Sequence, residues 1–192
     1  MPIGVYIDNN IWDFLFARKI DLAVALPREE FCICLTREAE FEIPPIQNRK
    51  PELKAFIEMT IARCNIPTDS FFGFNDTSLP QSEQRVGGLD VGRFASPEEI
   101  AFMVQQRTPL KPKRQIKNPK TKLYKDEADI SLAARSFHSI VLSLDAKNGP
   151  INNAYKQGGK VVFLTDFDSS GMPLIDFIKK KLVDCGGAHN DG

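Results

Sequence analysis

The sequence predicts an α/β fold, a three-layer sandwich in which helices cover both faces of a central, mostly parallel sheet. Short apolar runs of strand length alternate with amphipathic segments of helix length along the 192 residues. This alternation is typical of parallel strands joined by helical crossovers. The strand-like runs are apolar at consecutive positions, as expected when both faces of a sheet are covered. The length fits a single domain, 1–192, with its own core.

The first half of the chain predicts two strands and two long helices. The first strand is expected at 3–7, and a helix follows over 10–20 with Asn10 as its N-cap. The second strand is expected at 30–36. A helix over 51–64 has a proline in its first turn, where the missing N–H costs nothing.

The second half begins with turn residues and little periodicity over 65–95. Ser96-Pro97-Glu98-Glu99 is a capping box that starts a helix running to Gln106. Three prolines predict an exposed loop over 108–125. The remaining expected elements are a helix over 126–138, a strand over 139–145, a short helix over 150–157, a strand over 160–165 and a helix over 173–184.

The composition is that of an ordinary globular protein, with 42% hydrophobic and 26% charged residues. No apolar run approaches the roughly 18 residues of a membrane span, and the N-terminal residues do not have the pattern of a signal peptide. We therefore expect a cytoplasmic protein without a membrane partner. The four cysteines, at positions 32, 34, 64 and 185, lack zinc-site spacing and are expected to be reduced thiols.

The charge is unevenly distributed although the formal net charge is zero. From Arg107 to Lys125 there are eight basic residues and no acidic one. The rest of the chain is therefore acidic, and this basic segment is suited to contact a polyanion.

Acidic residues follow or begin three of the predicted elements. Asp8 follows the first strand, Asp145 ends the strand over 139–145, and Asp126 and Asp129 open the helix before that strand. The carboxyl ends of parallel strands meet at one edge of the sheet, where ligands bind. Carboxylates that converge there repel each other unless a cation lies between them, and Mg²⁺ and Mn²⁺ prefer such oxygen ligands.

These motifs resemble those of the PIN-domain nucleases over residues 3–65 and 125–165, with 66–124 as an insertion of helices and loops. Asn9 stands where the family usually has threonine or serine. Lys147 and Asn148 replace a further family acid, which leaves open whether one or two metal ions bind. The matching motifs, in family order, are Asp8-Asn9-Asn10, then Thr36 with Glu42, then Asp129-Ile130-Ser131-Leu132-Ala133-Ala134, and finally Ser143-Leu144-Asp145.

The resemblance implies a metal-dependent endoribonuclease that cleaves single-stranded or loop RNA and leaves a 5′-phosphate. Asp8, Asp129 and Asp145 would bind Mg²⁺ or Mn²⁺, and Glu42 would complete the catalytic set, with Glu38 as its rival. The metal would activate a water molecule for attack on the phosphodiester. The resemblance also implies a toxin of a toxin–antitoxin pair, with a protein antitoxin as partner. The oligomeric state, with a homodimer as one alternative, stays open.

The residues expected to contact RNA lie near these acids and in the basic segment. Phe71, Phe72 and Phe74 could stack on bases, but we favour a role in the core of the insertion. His138 is expected to be structural. The predicted substrate-binding residues are Asn10, Ser143, Lys111, Lys113, Arg114, Lys117 and Lys147.

Two alternatives remain. Residues 160–171 combine a strand with a D-x-D-x-x-G motif that resembles Toprim nucleases, in which Asp166 and Asp168 would bind the metal. The sequence lacks the glutamate that Toprim domains carry at the end of an earlier strand. The other alternative is a catalytically inactive PIN-like module that only binds RNA or protein.

Overall fold

The computed structural model describes residues 1–43, 50–107, 118 and 120–187. Four of the predicted substrate-binding residues, Lys111, Lys113, Arg114 and Lys117, lie outside these ranges. Their contact with RNA stays a prediction.

The described residues form a five-stranded sheet in the order β3-β2-β1-β4-β5. Every pairing in the sheet is parallel, so the predicted mostly parallel sheet is confirmed. The edge strand β3 was not predicted. The strands are β1 (Ile3–Ile7), β2 (Phe31–Thr36), β3 (Thr68–Asp69), β4 (Ile140–Ser143) and β5 (Val161–Phe163).

Helices connect the strands. The helix over 51–64 has the predicted bounds, whereas the helix that starts at Asn10 ends at Arg18 because Lys19 adopts a left-handed conformation. The helices are α1 (Asn10–Arg18), α2 (Leu22–Ala25), α3 (Arg37–Glu40), α4 (Pro51–Cys64), α5 (Pro97–Arg107), α6 (Glu127–Arg135), α7 (Pro150–Lys156), α8 (Phe167–Ser170) and α9 (Leu174–Gly187).

Two groups of buried side chains, one on each face of the sheet, form the core. Successive residues of a strand point to opposite faces. Val5 and Ile7 of β1 therefore join a group that includes Phe177 of α9. Tyr6 joins the other group with Leu132 of α6. Helices thus cover both faces, which confirms the three-layer α/β sandwich.

The strand order reverses between β1 and β4. After β1 the chain builds β2 and β3 on one side, then crosses over to build β4 and β5 on the other. Tyr6 pairs with Val141 across this junction, and the Asp8 amide donates a hydrogen bond of 3.0 Å to the Leu142 carbonyl. A crevice beyond the carboxyl ends of the strands at such a reversal is where ligands bind in α/β sheets.

The segment between β3 and α5 is held by close backbone packing rather than by regular strands. Phe71 and Phe72 form isolated bridges with Arg93 and Gly87. A β-carbon on Gly92 would lie 2.6 Å from the Phe72 Cα, so a larger residue there would separate these backbones. Phe74 is 92% exposed, so the expected core role is wrong for this phenylalanine.

None of the helices in the described ranges is both long and apolar enough to cross a bilayer.

Candidate functional site

Four acidic residues from different elements approach the carboxyl ends of β1 and β4. Asp8 directly follows β1, and Asp145 lies two residues beyond β4. Asp129 is in the first turn of α6, and Glu42 follows α3. We call these four residues the carboxylate site. Asp8 and Asp145 thus lie at the same edge of the sheet, as their positions at the ends of two predicted strands indicated.

Hydrogen bonds fix the Asp8 carboxylate. Its Oδ2 atom accepts from the Ser143 hydroxyl at 2.5 Å and from the Asn10 side-chain amide at 2.6 Å. The Asn10 Oδ1 atom accepts from the Leu144 backbone N–H at 3.0 Å. Asn10 therefore joins the end of β1 to the loop after β4. It is not the N-cap that we expected, because α1 begins at Asn10 itself.

Asn9 positions Glu42 in a similar way. The Asn9 side-chain amide donates to the Glu42 Oε2 atom at 2.5 Å and to the Ala39 carbonyl at 3.3 Å. The Asn9 Oδ1 atom is buried and has no hydrogen-bond partner among the described residues. A polar oxygen in this state costs free energy unless a donor or a cation reaches it.

The electrostatics of Asp129 show that the acids interact. Its pKa is raised from 3.8 to about 6, first by burial and then by the negative charges of Asp8, Glu42, Asp126 and Asp145. Burial also raises the pKa of Asp8, although hydrogen bonds from Ser143 and Asn10 oppose that shift. The pKa of Glu42 is raised by burial and by Asp8, against the hydrogen bond from Asn9.

Among the described residues, no basic side chain is paired with an acid of this cluster. Within the described ranges, no salt bridge involves Asp8, Glu42, Asp129 or Asp145. Like charges that share a site without a counter-ion favour either proton uptake or binding of an external cation.

The donor set fits Mg²⁺ or Mn²⁺ in its chemistry, because it consists of hard carboxylate oxygens and the unpartnered Asn9 oxygen. The side chains do not stand in ligand geometry, however. In the part of the chain that the structure describes, no three histidine, cysteine, aspartate or glutamate side chains are placed to hold one ion. Metal binding at this site would therefore require side-chain rotation.

The structure separates Glu42 from its rival Glu38. Glu38 is only 6% exposed and accepts a hydrogen bond of 2.6 Å from the Ser131 hydroxyl. Burial raises its pKa, while Arg135 and Ser131 lower it. Glu42 instead interacts with Asp8 and Asp129, so it is the glutamate of the carboxylate site.

Glu38 belongs to a buried group that the sequence did not reveal. Arg135, which is 1% exposed, donates to Asp69 Oδ2 at 2.6 Å and to the Ser131 hydroxyl at 2.8 Å. Arg93 lies 3.2 Å from Asp69 and donates to Glu99 Oε2 at 2.8 Å. We call this group, formed by Glu38, Asp69, Arg93, Glu99, Ser131 and Arg135, the arginine network.

The capping box at the start of α5 is confirmed and lies beside this network. The Ser96 N–H donates to Glu99 Oε2 at 2.8 Å, and the Glu99 N–H donates to the Ser96 hydroxyl at 3.2 Å. The His138 Nε2 atom lies 2.7 Å from the same hydroxyl and 3.5 Å from Glu98. His138 therefore has a structural contact.

The two acids of the Toprim-like motif are exposed and paired with basic residues. Arg18 donates to Asp168 Oδ1 at 2.6 Å, and Lys181 donates to Asp166 Oδ2 at 3.2 Å. The hydrogen bonds from Arg18 and Lys181 lower the pKa of Asp168 and Asp166 respectively. Both carboxylates already have cationic partners, in contrast to the carboxylate site.

The remaining predicted residues surround Asp145. The Ser143 hydroxyl accepts from the Asp145 N–H at 2.9 Å, and the Asp145 Oδ1 atom accepts from the Lys147 N–H at 3.1 Å. Ser143 is fully buried and Lys147 is exposed. Ser143 and Asn10 thus hold Asp8 and Asp145 in place, and a direct contact of either residue with substrate stays a prediction.

A cavity of about 330 Å³ lies beside the acids. Its lining includes Glu42, Asp126 and Asp129 as well as Tyr124 and Lys125. Two acids of the carboxylate site, Glu42 and Asp129, therefore border a space that a ligand can enter.

Comparisons with known proteins found no family model, curated protein or solved structure that matches this chain. The resemblance to PIN-domain nucleases therefore rests on the sequence motifs of this chain alone and stays a prediction.

Proposed function

We propose that this protein is a metal-dependent endoribonuclease that hydrolyses RNA phosphodiesters. One observation carries the proposal: four carboxylates meet at the strand-order reversal without a basic partner in the described ranges. Their mutual repulsion contributes to a pKa of about 6 for Asp129. A divalent cation is the ligand that relieves this repulsion best.

Each residue of the site has a distinct task in this proposal. Asp8, Asp129 and Asp145 bind Mg²⁺ or Mn²⁺, and Glu42 orients water or a metal-bound ligand. When bound, the metal supplies an activated water and offsets charge on the phosphoryl oxygens. Asn10 and Ser143 keep the Asp8 carboxylate aimed at the site, and Asn9 does the same for Glu42.

RNA is the proposed substrate because of the PIN resemblance and the adjacent basic segment. That segment precedes α6 directly in the chain and supplies charge for phosphate contacts. The same resemblance supports cleavage of single-stranded RNA to 5′-phosphate products. It also supports a role in the cytoplasm as a toxin, with a protein antitoxin covering the site, and leaves the oligomeric state open.

A cleavage assay tests this proposal. The parent protein should cut labelled single-stranded RNA with Mn²⁺ and should not cut it with EDTA. Asp129→Asn should lower the rate by roughly a thousandfold, because a metal site contributes several kcal/mol of transition-state stabilisation. Asp168→Asn is the matched control and should cleave like the parent. Normal cleavage by Asp129→Asn, or loss confined to Asp168→Asn, would contradict the proposal.

The second candidate function is that of a PIN-like module that binds RNA or protein without cleaving it. It is favoured by the observation that no three potential ligands in the described ranges stand in metal geometry. Under this alternative the parent protein would bind RNA with unchanged affinity in Mn²⁺ and EDTA, and no product would form in either.

A further inference from the structure

The cavity beside the carboxylate site has room for more than the water molecules that hydrate the acids. Its volume of about 330 Å³ lies at the lower end of the range for small-molecule sites. One water molecule occupies about 30 Å³ in the liquid. The cavity therefore has room for a ligand group of several ring atoms next to Asp129.

Asn118, Thr121 and Leu123 form one wall of the cavity. The Asn118 N–H donates to the Leu123 carbonyl at 2.8 Å, and the Lys122 N–H donates to the Asn118 carbonyl at 2.7 Å. Leu123 is 4% exposed and anchors the loop in the protein. Arg85 donates a further hydrogen bond to the Lys122 carbonyl. The wall is thus formed before any ligand arrives.

Tyr124 is attached firmly to the start of α6. Its N–H donates to Glu127 Oε2 at 2.7 Å, and Arg85 donates to Glu127 Oε1 at 3.0 Å. The Tyr124 residue is 42% exposed and lines the cavity. Glu127 and Asp129 both lie in the first turn of α6. The hydrogen bond to Glu127 therefore fixes the position of Tyr124 relative to the carboxylate site.

The chemistry of the walls selects a particular class of ligand. Asn118 and Thr121 supply polar groups, Tyr124 supplies an aromatic ring, and Lys125 supplies a positive charge near the acids. A flat, polar-edged ring linked to a phosphate matches this combination, because bases stack on aromatic side chains and phosphates attract cations.

We propose that this cavity binds one nucleobase of single-stranded RNA, which stacks on Tyr124 and belongs to a nucleotide adjacent to the cleaved phosphate. The inference rests on the proposed function for the identity of the substrate. It adds a binding site and assigns its residues. Stacking holds the backbone phosphate of that nucleotide near Asp129, and a duplex is excluded because its bases are already stacked and paired.

Fluorescence of a modified RNA tests the pocket without relying on cleavage. The probes are short single-stranded RNAs, each with one 2-aminopurine at a different position, bound in Ca²⁺ in place of Mn²⁺. Stacking on an aromatic ring quenches 2-aminopurine. The parent and Tyr124→Phe should quench the probe at one position, whereas Tyr124→Leu should not and should bind roughly tenfold more weakly.

Thermal melting provides the folding control, since it shows whether Tyr124→Leu and Tyr124→Phe are folded at the temperature of the binding measurement. Equal affinity of the parent and Tyr124→Leu, together with an absence of position-specific quenching, would overturn the inference. If the parent cleaves RNA in Mn²⁺ under those circumstances, the proposed function stands and only the pocket fails. Position-specific quenching without cleavage would retain the pocket and contradict the nuclease. Absence of RNA binding by the parent would overturn both.

Discussion

The carboxylate site and the arginine network both bring acidic residues together, but within the described ranges only the network pairs its acids with basic side chains. Asp69 contacts Arg93 and Arg135, and Glu99 contacts Arg93. No salt bridge reaches the four acids of the carboxylate site within the described ranges. The two regions differ in burial, since Glu38 and Glu99 are buried whereas Asp145 is exposed. They also differ in the chemical nature of their hydrogen-bond donors.

The difference indicates separate physical tasks. In a buried ion pair, each charge is compensated by its partner. Removal of one partner leaves the other charge buried without compensation. The arginine network connects β3, α5 and α6 through side-chain contacts. The Asp8 carboxylate receives hydrogen bonds from Asn10 and Ser143 but forms no salt bridge within the described ranges, so its charge when ionised has no basic counterpart there. That charge is available to an external cation.

The largest predicted effect is on the stability of the arginine network. Arg135→Met should lower the free energy of unfolding by about 3–5 kcal/mol, because Asp69 would lose a buried partner. Chemical denaturation measures this change. The matched control is Arg18→Met, which breaks the exposed pair with Asp168 and should change stability far less. Equal effects of the two substitutions would mean that burial of the network has no energetic consequence.

The second prediction concerns Mn²⁺ and the carboxylate site. At a concentration about a hundredfold above its dissociation constant, Mn²⁺ should stabilise the parent by about 2.7 kcal/mol. In a protein of this size the melting temperature should then rise by roughly 5–10 °C. Asp145→Asn should abolish most of this rise and also prevent RNA cleavage.

Asp168→Asn is the control for this experiment, since both substitutions remove an exposed aspartate. It should keep the full response to Mn²⁺. A response lost in Asp168→Asn and retained in Asp145→Asn would move the metal site to the Toprim-like motif.

The third prediction is a pH dependence with a defined sign. Because the pKa of Asp129 is raised from 3.8 to about 6, the metal-free folded state holds a proton that the unfolded chain releases between these values. The unfavourable contribution of ionised Asp129 to the free energy of folding is therefore largest above pH 6 and fades as pH falls toward 4. Asp129→Asn should be more stable than the parent by on the order of 1–2 kcal/mol near neutral pH.

Denaturation in EDTA at about pH 7.5 and about pH 4.5 measures the difference. The advantage of Asp129→Asn should shrink at the lower pH. A variant that is clearly less stable than the parent at neutral pH would show that Asp129 has a structural role. Mn²⁺ affinity should also fall as pH drops through about 6, because protons compete for the same carboxylate.

The smallest predicted effect separates the two serines that hold acids. Ser143→Ala removes a hydrogen bond to Asp8, and Ser131→Ala removes one to Glu38. Each should cost about 1 kcal/mol of stability. Only Ser143→Ala should weaken Mn²⁺ binding, by roughly tenfold, since it supports a metal-binding side chain. Isothermal titration with Mn²⁺ distinguishes them, and equal loss of affinity would contradict the separation of the two regions.

The sequence predicted the parts of the fold that depend on local pattern. The apolar runs identified β1 and β4, and the acids that follow them proved to lie at one edge of the sheet. It did not predict β3, whose two residues are too few for a periodic pattern. That strand exists because Leu35 and Thr36 of β2 pair with Thr68 and Asp69.

The roles of the two asparagines also required the structure. Asparagine is a common N-cap residue, but the Asn10 side chain hydrogen-bonds to Asp8 and to the Leu144 N–H instead. Asn9 bonds to Glu42, which is 33 residues away. Capping propensity is local, whereas these contacts depend on how β1, β4 and α3 meet.

The sequence by itself determined the α/β class, most of the strands and the placement of acids at strand ends. These features are local, because they depend on the periodicity of the side chains and on the order of residues along each strand. Which acids are paired with a basic side chain was decided by the tertiary structure alone. Asp69 and Arg135 are 66 residues apart, and Arg18 and Asp168 are 150 apart. Charge compensation depends on such distant contacts, so a sequence lists the acids without showing which of them remain uncompensated.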